Sequence, residues 1–207
     1  DVAFVYALVL LLSGTALLFQ FANPISAVLV LLGYVFYVFF YTMWYKRTSV
    51  YGTLVGSISG AVPPLIGYLA VTNYISLEAV LLFVMFCLWQ MPHTYAIAMF
   101  RLQDYRDAGI PVLPVKECVD KAHKHMKAYV VAFGAVSLAL FLLGEAGYEY
   151  LAVSAAVCFM WTKVTFRKVD CLNYVQWSKT VFKVSLLVVM SISGVLGLEL
   201  IPLPTLF

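Results

Sequence analysis

The stretch from Leu77 to Phe100, "LEAVLLFVMFCLWQMPHTYAIAMF", decides the fold class, because it is apolar and longer than the roughly 20 residues that a helix needs to cross a bilayer. The whole chain of 207 residues has the same character, with 64% hydrophobic and 11% charged residues and a mean hydropathy of +0.96. Soluble domains carry about 25% charged residues. We therefore expect an integral membrane protein, and long apolar runs without alternation predict helical spans rather than a barrel.

Six further apolar runs lie on either side of this stretch, and turn residues such as Asn23-Pro24 and Thr72-Asn73 separate them. The sequence thus predicts an all-α, polytopic transmembrane helical bundle, with residues 1–207 forming a single domain. The seven predicted spans are approximately Val2–Phe21, Ile25–Thr42, Thr53–Val71, Leu77–Phe100, Ala128–Leu143, Tyr150–Phe166 and Val181–Leu200.

The basic residues predict the orientation of these spans. All 13 flank alternate connections, those after the second, fourth and sixth spans, and the other connections have none. By the positive-inside rule the basic loops face the cytoplasm. We expect a bacterial inner membrane, or the mitochondrial inner membrane in a eukaryote. The basic residues are Lys46, Arg47, Arg101, Arg106, Lys116, Lys121, Lys124, Lys127, Lys163, Arg167, Lys168, Lys179 and Lys183.

Glycines recur every four residues in "YKRTSVYGTLVGSISGAVPPLIGY", Tyr45 to Tyr68, at Gly52, Gly56 and Gly60. This spacing places them on one helical face and predicts close helix packing. The Pro63-Pro64 pair predicts a break or kink. Lys46 and Arg47 at the cytoplasmic entrance have two interpretations, as determinants of topology or as ligands of an anion at the membrane surface.

His93 lies inside the membrane part of the opening stretch, about 12 Å deeper than Arg101 along a helix. Gln90 shares its face, and Pro92 predicts a kink. Two interpretations of His93 stay open. An ionisable residue at this depth is a functional candidate, whereas a neutral histidine bonded to a neighbouring helix would be structural.

Asp104 and Asp107 follow in the loop "RLQDYRDAGIPVLPV", three residues apart. On a helical turn both carboxylates face one side. Carboxylates hold Mg²⁺, Mg²⁺ binds phosphate oxygens, and arginines such as Arg101 and Arg47 neutralise the remaining charge. The alternative is an ordinary solvated loop with balanced charges.

His123 and His125 lie in the basic stretch "CVDKAHKHMKAY". This stretch is typical of a segment on an anionic leaflet, and either histidine could also serve as a haem ligand or in proton transfer. The four cysteines, at positions 87, 118, 158 and 171, have no metal-binding spacing and are expected to be free thiols.

Taken together, the stretches "YKRTSVYGTLVGSISGAVPPLIGY" and "WQMPHTYAIAMFR..DYRDAGIPVLPV" resemble the haem O synthase (protohaem IX farnesyltransferase) family of intramembrane prenyltransferases. The resemblance implies an enzyme that transfers a farnesyl group from farnesyl diphosphate to a vinyl group of haem b, giving haem O and diphosphate. It implies Mg²⁺ as cofactor and haem b as substrate. It further implies a setting among membrane lipids, haem A synthase or terminal oxidase assembly as a candidate partner, and no nucleic-acid partner.

The resemblance also assigns roles to residues. Asp104 matches the second acidic motif and implies a metal-binding and catalytic group, while Asp107 matches less well as a metal ligand. His93 and His125 are implied on the haem side, with His93 catalytic. Lys46, Arg47, Arg101 and Tyr105 match the groups that bind diphosphate. The family has nine spans and a first motif, Asn-x-x-x-Asp-x-x-x-Asp, which this sequence does not contain. We therefore expect two further spans and that motif upstream of Asp1, and the activity of this stretch alone is open.

Two other classes of protein remain as alternatives. A membrane transporter or permease would suit the prolines within spans and the intramembrane His93. A haem-binding assembly subunit would use His93 and His125 as ligands.

Overall fold

Helices make up the regular structure of the protein in a computed structural model that describes residues 2–169 and 173–199, and no strand occurs in those two ranges. The chain divides into two compact units, Asp1–Cys87 and Leu88–Phe207. The all-α prediction is confirmed, and the single-domain prediction stays a prediction.

The first unit contains helices α1 (Val2–Phe21), α2 (Pro24–Val35), a π-helix (Phe36–Tyr45), α3 (Lys46–Thr48) and α4 (Gly52–Thr72). Asn23 fixes the start of α2. Its side-chain oxygen accepts from the Ser26 N–H at 2.8 Å, and its amide donates to the Leu69 carbonyl at 2.6 Å. One buried side chain thus caps α2 and joins it to the end of α4, which satisfies polar groups that lipid could not.

Two of the three glycines on the predicted face of α4, Gly52 and Gly56, pack closely as expected, whereas Gly60 is exposed. A Cβ at Gly56 would lie 3.0 Å from the Tyr41 ring, and one at Gly52 would lie 2.9 Å from the Tyr45 carbonyl oxygen. These two glycines therefore let α4 pack closely against the π-helix and against the backbone at Lys46. Pro63 and Pro64 lie inside α4, which continues to Thr72, so they do not break the helix.

Helix α5 (Leu77–Phe100) leads into the second unit and contains Pro92 without interruption. Two short helices follow in the loop, α6 (Leu102–Asp107) and α7 (Leu113–Lys116). The unit continues with α8 (Val119–Leu142), α9 (Tyr148–Thr165) and α10 (Tyr174–Glu199). Helix α9 packs against both α8 and α10, with the fully buried Trp161 in edge contact with Phe133.

Within the described residues six helical segments are long and apolar enough to cross a membrane, one fewer than predicted. The predicted span Tyr150–Phe166 is α9, an 18-residue helix that is not among them. It carries Glu149 in its first turn and Lys163 in its last, so its apolar part is short. The six are Val2–Phe21, Pro24–Thr48, Gly52–Thr72, Leu77–Phe100, Val119–Leu142 and Tyr174–Leu198.

Candidate functional site

The predicted acidic loop folds as the short helix α6, which is separated from α5 by a single residue, Arg101. Arg101 lies at its N-cap, and its guanidinium is 3.2 Å from the Asp104 carboxylate. Both side chains are more than 60% exposed (62% and 64%). An exposed pair of this kind contributes about 0–1 kcal/mol, so Asp104 can exchange its arginine partner for another cation at little cost.

Asp107 lies one turn further along α6, on the side of Asp104 that the spacing predicts. Its carboxylate accepts a hydrogen bond from the Gln103 amide at 2.8 Å. Both aspartates are exposed. The two carboxylates are thus accessible from solvent, and among the described residues they bond to Arg101 and Gln103.

Tyr105 differs from its neighbours in being half-buried. Burial raises the pKa of its phenol above the ordinary value, and the charge of Arg101 offsets part of that rise. The hydroxyl therefore keeps its proton throughout the neutral range and can donate a hydrogen bond to an anionic oxygen.

A cavity of about 420 Å³ lies beside this loop, between α6, α7 and the starts of α8 and α10. Arg106 of α6, together with Glu117 and Asp120, contributes charged residues to its lining. Arg101, Asp104 and Asp107 are not part of its lining, which consists of Leu102, Arg106, Pro114, Val115, Glu117, Cys118, Val119, Asp120, Val169 and Tyr174.

His93 lies in α5, half-buried, with its ring against α10. Its Nδ1 is 2.8 Å from the hydroxyl of Ser185. The ring stacks on Trp89 with centroids 4.6 Å apart and meets Phe182 at 4.9 Å. The contact with Ser185 is the neighbouring-helix partner that the structural interpretation requires, but no residue in the described part of the chain bonds to the other ring nitrogen. Both interpretations of His93 therefore remain open.

The two histidines of α8 occupy different environments. His123 is buried, with Nε2 2.7 Å from the Thr165 carbonyl and its ring in edge contact with Trp177. Because a carbonyl only accepts, Nε2 donates, and His123 joins α8 to the end of α9 and the start of α10. His125 is exposed. Of the two, His125 keeps the accessibility that a ligand needs.

Lys46 and Arg47 belong to the first unit and lie in the short helix α3. The Lys46 ammonium is 5.7 Å from the centre of the Tyr41 ring, which is a cation–π contact. Arg47 is exposed. Gly52 packs against the backbone of Tyr45 and Lys46. The start of α4 therefore restricts the movement of the backbone that carries the basic pair.

Ser185, Trp89 and Phe182 are contacts of His93 that sequence reasoning missed. Trp89 is four residues before His93, on the same helical face, and this spacing could have suggested the stack. Ser185 is separated from His93 by 92 positions, and no local signal connects them.

Within the described ranges no group of three or more His, Cys, Asp and Glu side chains is placed to hold a metal ion. The two carboxylates of α6 nevertheless suit Mg²⁺, which is commonly bound by one or two carboxylates together with substrate phosphates and water. Cys87, Cys118 and Cys158 are free thiols, as predicted, and Cys171 lies outside the described residues.

Comparison with solved structures supports the fold. The chain is similar to a solved digeranylgeranylglyceryl phosphate synthase, with a TM-score of 0.74 over 93% of this chain and 68% of the other. The sequences are only 17% identical, so this similarity concerns the fold alone.

Closer similarity is found among curated sequences. The chain is 86% identical over 204 residues to protoheme IX farnesyltransferase 1 of Vibrio campbellii, covering 99% of this chain and 70% of the relative. It is 84% identical over 203 residues to protoheme IX farnesyltransferase 2 of Vibrio parahaemolyticus, covering 98% and 70%. It is 65% identical over 207 residues to the protoheme IX farnesyltransferase of Aliivibrio salmonicida, covering 100% and 71%.

The sequence profile of the UbiA prenyltransferase family matches residues 1–187. This match takes in both units of the fold and includes His93, the acidic loop and Ser185. A transporter and a haem-binding subunit, the two alternative classes, are thereby set aside. The chain is a multi-pass membrane protein that belongs to the UbiA prenyltransferase family.

Proposed function

We propose that the protein transfers a farnesyl group from farnesyl diphosphate to a vinyl group of haem b, giving haem O and diphosphate. The observation that carries this proposal is the 86% identity over 204 residues to a protoheme IX farnesyltransferase. At this level of identity we expect the two proteins to share the side chains that determine whether haem or another acceptor binds.

Two groups of α6 and its N-cap are proposed to receive the diphosphate end of the donor. Arg101 supplies a guanidinium suited to phosphate oxygens, and the protonated phenol of Tyr105 supplies a further donor. Arg101 and Tyr105 would neutralise the charge that grows on the diphosphate as its bond to the farnesyl carbon breaks. Lys46 and Arg47, in the first unit, are proposed as diphosphate-binding groups on the strength of their match to the family motif alone.

Asp104 and Asp107 are the residues that would hold Mg²⁺. Their fit rests on two features, the exposure of both carboxylates and the weakness of the partners that now occupy them. Bound there, Mg²⁺ would supply charge neutralisation to the leaving diphosphate. Asp104 is the more important of the two in this proposal, because its ion-pair partner, Arg101, is itself one of the residues proposed to bind diphosphate.

The chemistry conserves atoms and charge. The C–O bond between farnesyl and diphosphate breaks, and the allylic carbon forms a C–C bond with the terminal vinyl carbon of haem b. Water then adds to the remaining vinyl carbon and loses a proton, which leaves the hydroxyethylfarnesyl group. The membrane interior keeps bulk water away from the allylic cation until the C–C bond has formed.

His93 is proposed to meet the haem on the membrane side, as a ligand or as an acid–base group at the reacting vinyl. Its position about 12 Å deeper than Arg101 separates the acceptor from the diphosphate. His125 on α8 is the second candidate on the haem side, since it is exposed. The basic loops are proposed to face the cytoplasm of a bacterial inner membrane, where haem A synthase or terminal oxidase assembly could receive the product.

The experiment compares Asp104→Ala, Asp107→Ala and Gln103→Ala in the full-length protein in membranes, with farnesyl diphosphate, haem b and Mg²⁺ supplied. Haem O is separated and quantified by chromatography. We expect Asp104→Ala to abolish transfer and Asp107→Ala to reduce it less. Gln103→Ala, which removes the amide bonded to Asp107 but leaves both carboxylates in place, should reduce transfer less than either aspartate variant.

Two results would count against the proposal. Absence of haem O from the unmodified protein would remove the function itself. Activity of Asp104→Ala within a factor of about three, well under the tenfold that about 1.4 kcal/mol represents, would remove the metal role alone.

A further inference from the structure

A single residue of α10, Ser185, holds both His93 and its stacking partner. Ser185 is fully buried. Its hydroxyl is 2.8 Å from His93 Nδ1, and its backbone carbonyl accepts a hydrogen bond from Trp89 Nε1 at 2.8 Å. Trp89 in turn stacks on the His93 ring. The imidazole is therefore restrained both along its edge and across its face.

The position of the serine proton decides which nitrogen of His93 carries hydrogen. The Ser185 hydroxyl has one proton, and it donates to the Phe182 carbonyl at 2.7 Å. A carbonyl cannot donate, so while the serine proton bonds this carbonyl it is not available to His93. Towards His93 the hydroxyl can then only accept, which requires Nδ1 to be the protonated nitrogen. In a neutral imidazole the other nitrogen, Nε2, carries the lone pair.

We infer that Ser185 is a positioning residue that fixes His93 as the Nδ1–H tautomer and so presents the Nε2 lone pair for ligation. None of the described residues forms a hydrogen bond with Nε2. An unprotonated imidazole nitrogen is the form that binds metal ions, and a hydrogen bond at the opposite nitrogen orients the ring and raises its basicity. This inference rests on the proposed function for its ligand, the iron of haem b.

A second buried serine on α10 shows how the Ser185 contact differs from ordinary helix packing. Ser178, two turns earlier on α10, is also fully buried, and its hydroxyl donates to the Val175 carbonyl at 3.0 Å. Like Ser185, it donates to the carbonyl three residues earlier in its own helix. Unlike Ser185, its hydroxyl has no further hydrogen-bond partner among the described residues. Ser178 is therefore a matched control for removing a buried hydroxyl from α10 without touching His93.

The experiment reads the tautomer directly by nitrogen NMR of ¹⁵N-histidine in the full-length protein in detergent. The His93 signals are identified by their loss in His93→Gln. In the unmodified protein we expect a protonated Nδ1 and an unprotonated Nε2. Ser185→Ala should give a mixture of tautomers, Ser185→Thr should restore the single form, and Ser178→Ala should leave it unchanged.

Several results would overturn the inference. An Nε2–H tautomer in the unmodified protein would overturn it. This measurement does not need Ser185→Ala, so it decides the inference even if that variant fails to fold. A single Nδ1–H form that persists in Ser185→Ala would do so as well.

A second arm measures binding of haem b through its absorption spectrum. We expect Ser185→Ala to weaken binding by roughly 10–100-fold, as for other residues that orient a metal ligand, while Ser178→Ala binds normally. Unchanged binding in Ser185→Ala would overturn the role in ligation. Failure of the proposed function would appear separately, as absence of haem O from the unmodified protein whatever its tautomer.

Discussion

Three histidines show how one residue type serves different purposes in this chain. His93 is bonded through one nitrogen to Ser185, His123 is buried against the Thr165 carbonyl and Trp177, and His125 is exposed. The burial and two contacts of His123 make it a structural residue that joins three helices. The remaining two keep a nitrogen available, which is the minimum requirement for a haem-side role.

At the same scale, Tyr105 gives a prediction for pH. Its phenol has a raised pKa because it is half-buried, and the charge of Arg101 offsets part of the rise. The fold thus favours the neutral form. The associated stability is fully present below the ordinary value of about 10 and is lost as pH rises through the raised value.

The difference in phenolate absorbance between the unmodified protein and Tyr105→Phe isolates this titration. We expect its midpoint above the ordinary value, and a further upward move when Arg101→Gln is introduced in both proteins. A midpoint at or below the ordinary value would contradict the burial of this side chain.

The acidic loop was predictable from the sequence because its information is local. Asp104 and Asp107 are three residues apart, and that spacing alone places them on one side of a turn. The partner of His93 was not predictable in this way, since Ser185 reaches it only through the packing of α10 on α5. One further partner within the loop, Gln103 at Asp107, lies at i−4 and could have been inferred.

Among the elements, the start of α4 carries the clearest test of packing. In Gly52→Ala the new Cβ would lie 2.9 Å from the Tyr45 carbonyl oxygen and 3.3 Å from the Lys46 Cα. These are backbone atoms, so the clash can be relieved only if the backbone at Tyr45 and Lys46 moves. We expect a loss of about 1–3 kcal/mol, typical of overpacking, measured by thermal unfolding in detergent.

Gly67→Ala is the matched control on the same helix. A Cβ at Gly67 meets nothing within 4 Å, and alanine has the better helix propensity by about 1 kcal/mol. Its stability should be unchanged or slightly higher. Equal losses in both variants would show that Gly52 is not a contact glycine.

The existence of the helices followed from the apolar runs, whereas their internal geometry did not. The π-helical winding of Phe36–Tyr45 has no signature in an aromatic-rich apolar run. Pro63, Pro64 and Pro92 lie inside continuous helices, since neighbouring groups within a membrane protein can compensate for the missing hydrogen bonds.

For the whole molecule, the distribution of charge predicts which side of the membrane each loop faces. In a variant without its native cysteines, Arg106→Cys should react with an impermeant thiol reagent only after the cells are permeabilised. Glu145→Cys should react in intact cells. Both positions are exposed, so access to the reagent depends on the membrane alone, and labelling at position 106 in intact cells would reverse the assignment.

The π-helix also has a consequence for the thickness of membrane that the protein fits. The second span, Pro24–Thr48, has 25 residues and would measure about 37 Å as an ideal α-helix, more than the roughly 30 Å of a hydrocarbon core. Hydrogen bonds between residues five apart wind more residues into each turn, so each residue advances the chain less. We expect this winding to take up part of the surplus length and so to reduce the tilt with which long spans usually respond to hydrophobic mismatch. Rewinding the same residues as α-helix would lengthen the span, so this segment can match a thicker bilayer without a change in sequence.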